Sequence, residues 1–165
     1  MAGVNHSFRM RHRIYVHAVW TTKDRLPLID ARAATYLDEH LRIIARQERA
    51  RVLELGIVAT HVHALIRLHP TTVIPRLLQR LKGSTSASLR RLPVGVSGQS
   101  GWERGYNLQS VGERSIDAVG AYVRNQPTHH PDDAIPGWHP PPALSTTACA
   151  AEIKVASATP AEPSL

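Results

Sequence analysis

Hydrophobic and polar positions in the first third of the chain follow two different periods. From His12 to Thr21 they alternate, so that one face is hydrophobic and the other is mixed, which is the period of a β-strand. After a short loop, hydrophobic residues recur every three to four positions, and Asp30 stands before them as a candidate N-cap. The pattern predicts a strand over residues 12–21 and a helix from Asp30 to about Arg51.

The middle of the chain predicts two strands and a second helix. Residues 52–68 are rich in branched side chains and too long for one average strand, so we predict two strands that turn near Gly56–Thr60, the second being HVHALIRL. Beyond Pro70, either Thr71 or Thr72 can cap a helix whose hydrophobic stripe extends to Leu89.

The last predicted elements are a strand and a short helix. A loop rich in Gly and Ser leads to the strand WERGYNLQSVG, and Ser115 is a candidate cap for the helix SIDAVGAYVRNQ, which Pro127 helps to end. The resulting order of elements predicts an α+β fold, a ferredoxin-like antiparallel sheet with helices on one face plus one C-terminal helix. We expect the other face of the sheet to be open and basic, a platform for single-stranded nucleic acid, although the chain has one Phe and few aromatic residues for base stacking.

Charge divides the chain into two parts. The whole chain of 165 residues has a formal net charge of +7, but residues 1–126 hold 19 basic and 9 acidic side chains. A strongly basic globular part favours a polyanionic partner, and nucleic acid is the first expectation. The remainder carries 8 of the 12 prolines. We therefore predict a domain over residues 1–130 and a disordered Pro/Ala-rich tail over residues 131–165, in which Trp138 either folds back onto the core or lies in an exposed turn.

Cysteine usage and hydropathy indicate where the protein works. Cys149 is the single cysteine, which excludes an intramolecular disulfide framework and favours a reducing compartment. The chain has neither an apolar run of the roughly 20 residues that a membrane span needs nor an apolar core behind its basic first residues. We expect a cytoplasmic protein without a membrane partner.

Two pairs of residues could carry chemistry. His61 and His63 lie two apart on a predicted strand, so both imidazoles point from one face and could share a divalent cation; a pair of half-buried histidines bonded to backbone carbonyls is the alternative. Tyr122 and Gln126 lie one turn apart on the last helix. They could converge on one point, or Tyr122 could pack at the rim of a hydrophobic stripe beside an exposed Gln126.

Five ordered segments resemble a known family. They are IYVHAVWTTKDRLPL, HVHALIRLHP, VIPRLLQRLKGSTSASL, WERGYNLQSVG and AVGAYVRNQ. Together they span about residues 10–130 and resemble the HUH single-tyrosine transposases of small bacterial insertion sequences, including the relatives associated with repetitive extragenic palindromes (REP). Many relatives have Asn or Asp immediately before the first histidine, where this chain has Thr60.

The resemblance implies an enzyme and a role for each paired residue. His61, His63 and Gln126 match the ligands of a divalent metal, Mg²⁺ or Mn²⁺, and Tyr122 matches the nucleophile. The implied reaction is cleavage and strand transfer of single-stranded DNA in DNA transposition, through a 5′-phosphotyrosine intermediate. A free tyrosine, with a pKa of about 10, is a weak nucleophile at neutral pH, so an adjacent cation agrees with this chemistry.

The resemblance also implies partners, namely single-stranded DNA with hairpin ends and a second copy of the chain in a homodimer. Two other functions stay open at this point: a domesticated DNA or RNA hairpin-binding protein without mobilising activity, and a metal-binding or regulatory ferredoxin-like domain unrelated to DNA. Six basic residues are our candidates for contacting the DNA backbone: Lys23, Arg25, Arg76, Arg80, Lys82 and Arg104.

Overall fold

A computed structural model describes residues 12–89 and 101–141 of the chain. Its single four-stranded sheet consists of β1 (Ile14–Thr21), β2 (Ala50–Val58), β3 (His61–Leu68) and β4 (Asn107–Val111). The strands lie in the order β2-β3-β1-β4, and every neighbouring pair is antiparallel. This is the predicted ferredoxin-like α+β arrangement, which is thereby confirmed.

Helices α1 (Ala31–Gln47) and α2 (Ile74–Leu89) cover one face of the sheet. Their hydrophobic stripes and the inward side chains of the strands form one buried cluster that includes Ala18, Leu37 and Leu77. The predicted cap of α1 is present, because Asp30 Oδ1 accepts a hydrogen bond of 2.8 Å from the Ala33 amide.

The opposite face of the sheet is only half covered. Helix α3 (Ile116–Arg124) and the short α4 (Gln126–His129) pack there against β2, and α3 also packs against β3. The predicted open platform is therefore limited to the side formed by β1 and β4. The helix is interrupted at Asn125, where α3 ends and α4 begins. Pro127 therefore lies in the first turn of α4 rather than at the end of one continuous helix.

A β-bulge in β2 makes this packing possible. The register with β3 shifts between Val52 and Glu54, so that Leu53 is an extra residue in the strand. Before the bulge, even-numbered residues face the core. After it, Leu55 and Ile57 face the core, and Glu54 and Gly56 turn to the face covered by α3.

Several predicted boundaries were wrong by a few residues. Helix α1 ends at Gln47 rather than near residue 51, because Arg49 adopts a left-handed conformation (φ 57°) that starts β2. The hairpin turn occupies only Ala59 and Thr60. Strand β4 begins at Asn107, and Trp102 instead forms an isolated bridge with Thr22.

The packed chain continues beyond the predicted domain boundary at residue 130. Ile135 and Trp138 are 7% and 9% exposed and belong to the hydrophobic core. Of the two placements considered for Trp138, the buried one is observed, since a large aromatic side chain gains much from leaving water. Predicted disorder over residues 142–165 falls outside the described residues. Within the part of the chain that is described, no helix is both long and apolar enough to cross a bilayer.

Candidate active site

His61 and His63 lie side by side at the start of β3, on the face of the sheet opposite α1 and α2. They are 5% and 7% exposed, and their ring centroids are 5.0 Å apart. Because strand side chains alternate between faces, two imidazoles at this spacing share one face, as predicted.

Hydrogen bonds orient both imidazole rings. His61 Nδ1 is 2.8 Å from Thr60 Oγ1, and His63 Nδ1 is 3.0 Å from Nε2 of His17 on β1. The partners are side chains, so the alternative of histidines bonded to backbone carbonyls is wrong. Each of these bonds uses Nδ1, so Nε2 is the nitrogen that faces away from it, and its lone pair is free in the tautomer that carries the hydrogen on Nδ1.

Gln126 is fully buried at the start of α4, which contradicts the alternative of an exposed side chain. Its Nε2 donates a hydrogen bond of 3.1 Å to the carbonyl of Tyr122. That bond assigns the two ends of the amide. The other end, Oε1, is buried and has no hydrogen bond of good geometry in the described part of the chain. The side chain nevertheless lies close enough to the His61 ring to act on its pKa, which burial lowers and Gln126 in part raises again.

Gly56 allows Gln126 to reach the histidines. It pairs with His63 in the β2–β3 ladder, and a Cβ on it would lie 2.0 Å from the Val123 carbonyl oxygen and 2.5 Å from Cγ of Gln126. Only glycine permits the end of α3 to approach the strand this closely. An ion pair between Arg124 and Glu54 joins the same two elements.

Tyr122 projects from α3 over the histidines of its own chain. Its ring centroid is 5.8 Å from that of His63, 6.2 Å from that of His17 and 4.9 Å from that of His129. The side chain is 42% exposed, whereas the histidine pair beneath it is buried. One chain therefore brings together all four residues predicted to carry chemistry.

A cleft of about 430 Å³ opens beside Tyr122 on the uncovered part of the sheet. Its lining includes Arg25 and Arg104, two of the six basic residues predicted to contact DNA, together with the 44% exposed Tyr106. Two cations and an exposed aromatic ring suit a phosphate backbone and an unpaired base.

The other four basic candidates do not line this cleft. Arg76 and Arg80 on α2 form ion pairs with Glu48 near the end of α1. Lys82 donates to the carbonyls of Glu103 and Gly105, so it supports the loop that carries Arg104. Lys23 lies in the exposed turn after β1. Their DNA contacts stay predictions.

Sequence reasoning missed four polar residues around the site. His17 contacts His63, His130 packs edge-on to His61 with ring centroids 4.9 Å apart, His129 packs on Tyr122, and Asp133 accepts a hydrogen bond of 3.0 Å from Thr60. His17 was recognisable, because it lies on the mixed face of β1 and the ferredoxin-like order places β1 beside β3. The other three follow Gln126 in the stretch near the predicted domain boundary, which carried no usable pattern.

Comparison with known proteins decides the family. A family model described as "Transposase IS200 like" matches residues 10–126, more than half of the chain. The chain belongs to this IS200-like transposase family. The ISDra2 transposase TnpA of Deinococcus radiodurans is 28% identical over 122 residues, which cover 70% of this chain and 85% of that protein.

Solved structures share the fold of this transposase-family chain. A candidate transposase from Deinococcus radiodurans R1 is 24% identical, with a TM-score of 0.55 over 74% of this chain and 98% of that one. A REP-associated tyrosine transposase bound to a REP hairpin is 11% identical, with a TM-score of 0.56 over 79% of this chain and 74% of that one. Membership of a transposase family excludes one of the two alternative functions, a metal-binding or regulatory domain unrelated to DNA.

Burial keeps His17, His61 and His63 neutral. It lowers the pKa of His63 to about 3, with a further contribution from the neighbouring His61. Burial is also the main cause that lowers the pKa of His61 and of His17. At neutral pH these imidazoles are therefore unprotonated, the state in which a histidine can ligate a metal.

The same shifts predict a loss of stability on acidification. Unfolding returns His63 to a pKa near 6.5, so below that pH the unfolded chain binds a proton that the folded chain does not. The contribution of neutral His63 to the free energy of unfolding is fully present above pH 6.5 and is lost as the pH falls toward 3. For His63 alone the free energy of unfolding should fall by about 2 kcal/mol between pH 7 and pH 5.

Urea unfolding of the metal-free protein at pH 7 and pH 5 measures this loss. His17 and His61 act in the same direction, so replacing His63 with Asn should reduce the loss without abolishing it. Equal unfolding free energies at the two pH values in the unsubstituted protein would contradict the assignment of buried, neutral histidines.

The residues of the site fit a divalent metal only if the amide is included. No group of three or more His, Cys, Asp or Glu side chains in the described ranges is arranged to hold a metal ion. Two imidazoles and the buried Oε1 of Gln126 could provide three neutral ligands, which would leave coordination positions open. A closed structural zinc site takes four protein ligands, so this set is of the open kind that catalysis needs.

Proposed function

We propose that this transposase cleaves single-stranded DNA and joins the cut strands to new ends, with Tyr122 as the nucleophile. His61, His63 and Gln126 hold the divalent ion, Mg²⁺ or Mn²⁺, that the reaction uses. Family membership supports the general activity. The roles of the individual residues rest on their geometry and on the resemblance of the five sequence segments.

The unpartnered amide oxygen of Gln126 is the observation that carries the proposal. Leaving a buried acceptor unsatisfied costs about 1–3 kcal/mol, and a side chain placed only for packing has no reason to bear this cost. The amide nitrogen of Gln126 donates to the backbone carbonyl of Tyr122, which leaves Oε1 as the end that faces His61. An oxygen donor next to two neutral imidazoles is suited to a cation, which would satisfy the amide oxygen.

The chain positions the reacting groups in two layers. The histidines and Gln126 form a buried floor, and the phenol of Tyr122 lies above it, open to the cleft. A divalent ion bound at this floor would withdraw charge from the phosphate oxygens and favour the phenolate. Arg25 and Arg104 in the same cleft would attract the DNA backbone and offset its charge.

The reaction exchanges one phosphodiester bond for another. The Tyr122 oxygen loses its proton and forms a bond to phosphorus, while the bond from phosphorus to the 3′-oxygen breaks and that oxygen takes up a proton. The products are a 5′-phosphotyrosine and a free 3′-hydroxyl. A second 3′-hydroxyl can reverse the step without ATP, because the bond energy is retained in the covalent intermediate.

Single-stranded DNA with hairpin ends is the proposed substrate. Its support is the basic cleft on the open half of the sheet, and the bound REP hairpin in one relative of the same fold. We place the active enzyme in a homodimer, as the resemblance implies. The runner-up function, hairpin binding without cleavage, accounts for the basic cleft but gives no role to an orphaned amide beside two buried imidazoles.

Covalent adduct formation tests the proposal. Labelled single strands that carry the ends flanking the gene should give a denaturation-resistant adduct with Mg²⁺ or Mn²⁺ and none with EDTA. Replacing Gln126 with Leu, which is of similar volume and cannot ligate, should abolish the adduct while hairpin binding persists. Salt-sensitive hairpin binding without any adduct, at saturating metal, would instead establish the runner-up function.

A further inference from the structure

Asp133 reaches His61, one of the two histidines proposed to ligate the metal, through one intervening side chain. Thr60 Oγ1 donates a hydrogen bond of 3.0 Å to Asp133 Oδ2, and the same oxygen lies 2.8 Å from His61 Nδ1. Thr60 is 7% exposed and its contact with His61 is buried, whereas the bond to Asp133 is only partly shielded from water. The three side chains form a continuous line from the segment after α4 to the first histidine of β3.

The positions of the hydrogens follow from what each group can do. A carboxylate only accepts, so the single hydroxyl hydrogen of Thr60 is committed to Asp133. Toward His61 the hydroxyl oxygen is then an acceptor, and His61 Nδ1 must carry the hydrogen. This assigns His61 the tautomer whose Nε2 lone pair is free.

We propose that Asp133 is a positioning residue of the active site: acting through the Thr60 hydroxyl, it holds the His61 ring in the orientation and tautomer that a divalent ion requires. The inference rests on the proposed function of His61 as a ligand. Outer partners of this kind raise the basicity of a ligating histidine and fix its ring. The carboxylate that accepts from Thr60 belongs to Asp133, 73 residues further along the chain.

Contacts other than the Asp133 carboxylate also hold its segment in place. The backbone carbonyl of Asp133 accepts a hydrogen bond of 2.8 Å from the Ala59 amide. Nearby, Ile135 and Trp138 are buried in the core. Removing only the side-chain acceptor should therefore leave the segment packed and disturb His61 alone.

Four substitutions in the full-length protein separate positioning from structure. Asp133→Ala removes the acceptor, and Asp133→Asn keeps a neutral one. Thr60→Val removes the hydroxyl with little change of shape, and Thr60→Ser keeps it. Asp132→Ala is the matched control, because Asp132 is the exposed neighbour in the same turn.

Two measurements are made on each variant. The first is the imidazole ¹⁵N chemical shifts of His61 in metal-free protein, assigned by their loss in His61→Asn. The second is Mn²⁺ affinity by titration. We expect the unsubstituted protein and Asp132→Ala to show the Nδ1–H tautomer, and Asp133→Ala and Thr60→Val to show a mixture with about 10- to 100-fold weaker Mn²⁺ binding. Thr60→Ser should behave as the unsubstituted protein, and Asp133→Asn should be intermediate.

An unchanged tautomer and unchanged Mn²⁺ affinity in both Asp133→Ala and Thr60→Val would overturn the proposal. Equal losses in Asp132→Ala would do the same, because they would indicate a general effect of charge or folding. The tautomer is read without metal or DNA. If the protein formed no covalent adduct but showed the expected tautomer shifts, the proposed function would be refuted. The positioning of His61 by Asp133 through Thr60 would still stand.

Discussion

Tyr122→Phe should abolish the covalent adduct and reduce strand cleavage by about 1,000-fold or more, since removal of the nucleophile leaves only the slow residual hydrolysis of a bound substrate. The substitution deletes one oxygen and keeps the ring. Because the ring lies against His63 and His129, its packing should persist. Hairpin binding should change by less than about twofold, since the salt-dependent phosphate contacts that supply most of such affinity come from basic side chains.

Gel analysis of the labelled strands after denaturation measures the adduct, and a filter-binding titration measures affinity. Tyr106→Phe is the matched control, because Tyr106 is equally exposed and lines the same cleft but lies outside the predicted catalytic set. It should retain adduct formation. An adduct that survives in Tyr122→Phe and disappears in Tyr106→Phe would move the nucleophile to the other tyrosine.

Gly56→Ala should disrupt the active site through a single methyl group. The new Cβ would meet the Val123 carbonyl oxygen at 2.0 Å and Gln126 Cγ at 2.5 Å, and the first of these is backbone, which cannot turn away. Overpacking of this kind costs about 1–3 kcal/mol. The end of α3 must move off the strand, and a displacement of about 1 Å at a reacting group costs on the order of 100-fold in rate.

The effect of Gly56→Ala is measured as the rate of adduct formation and as the free energy of unfolding in urea. Gly83→Ala in α2 is the control: Gly83 is exposed, and among the described residues no atom beyond its chain neighbours and the surrounding helix backbone lies within 4 Å of the position its Cβ would take. That change should stabilise the helix by about 0.5–1 kcal/mol and leave cleavage intact. Normal cleavage by Gly56→Ala would mean that Gln126 does not need its observed position.

The period of hydrophobic residues was sufficient to predict the fold. Alternation over residues 12–21 gave β1, and the stripe after Asp30 gave α1, because each element buries one face against the other. The face shared by His61 and His63 was predictable for the same reason. A strand has a strict period of two, so two residues at this spacing share a face whatever surrounds them.

The geometry of the site could not be predicted, because it depends on contacts between distant segments. The bulge at Leu53 exchanges the two faces of the sheet on which the later residues of β2 lie, and no feature of the sequence around Leu53 predicts it. The burial of Gln126 depends on Gly56, 70 residues earlier, which the sequence suggested only as part of a turn. Asp133 was assigned to a disordered tail, since a Pro-rich stretch without a hydrophobic period shows no sign of packing.

Mass spectrometry of the covalent adduct tests the central claim most directly. The protein is incubated with a labelled single strand and Mg²⁺, digested with a protease and a nuclease, and searched for a peptide that carries a nucleotide. We predict a nucleotide attached through its 5′-phosphate to the Tyr122 phenol, absent when EDTA replaces the metal. A nucleotide on any other residue, or cut strands that all end in free phosphates, would contradict the account.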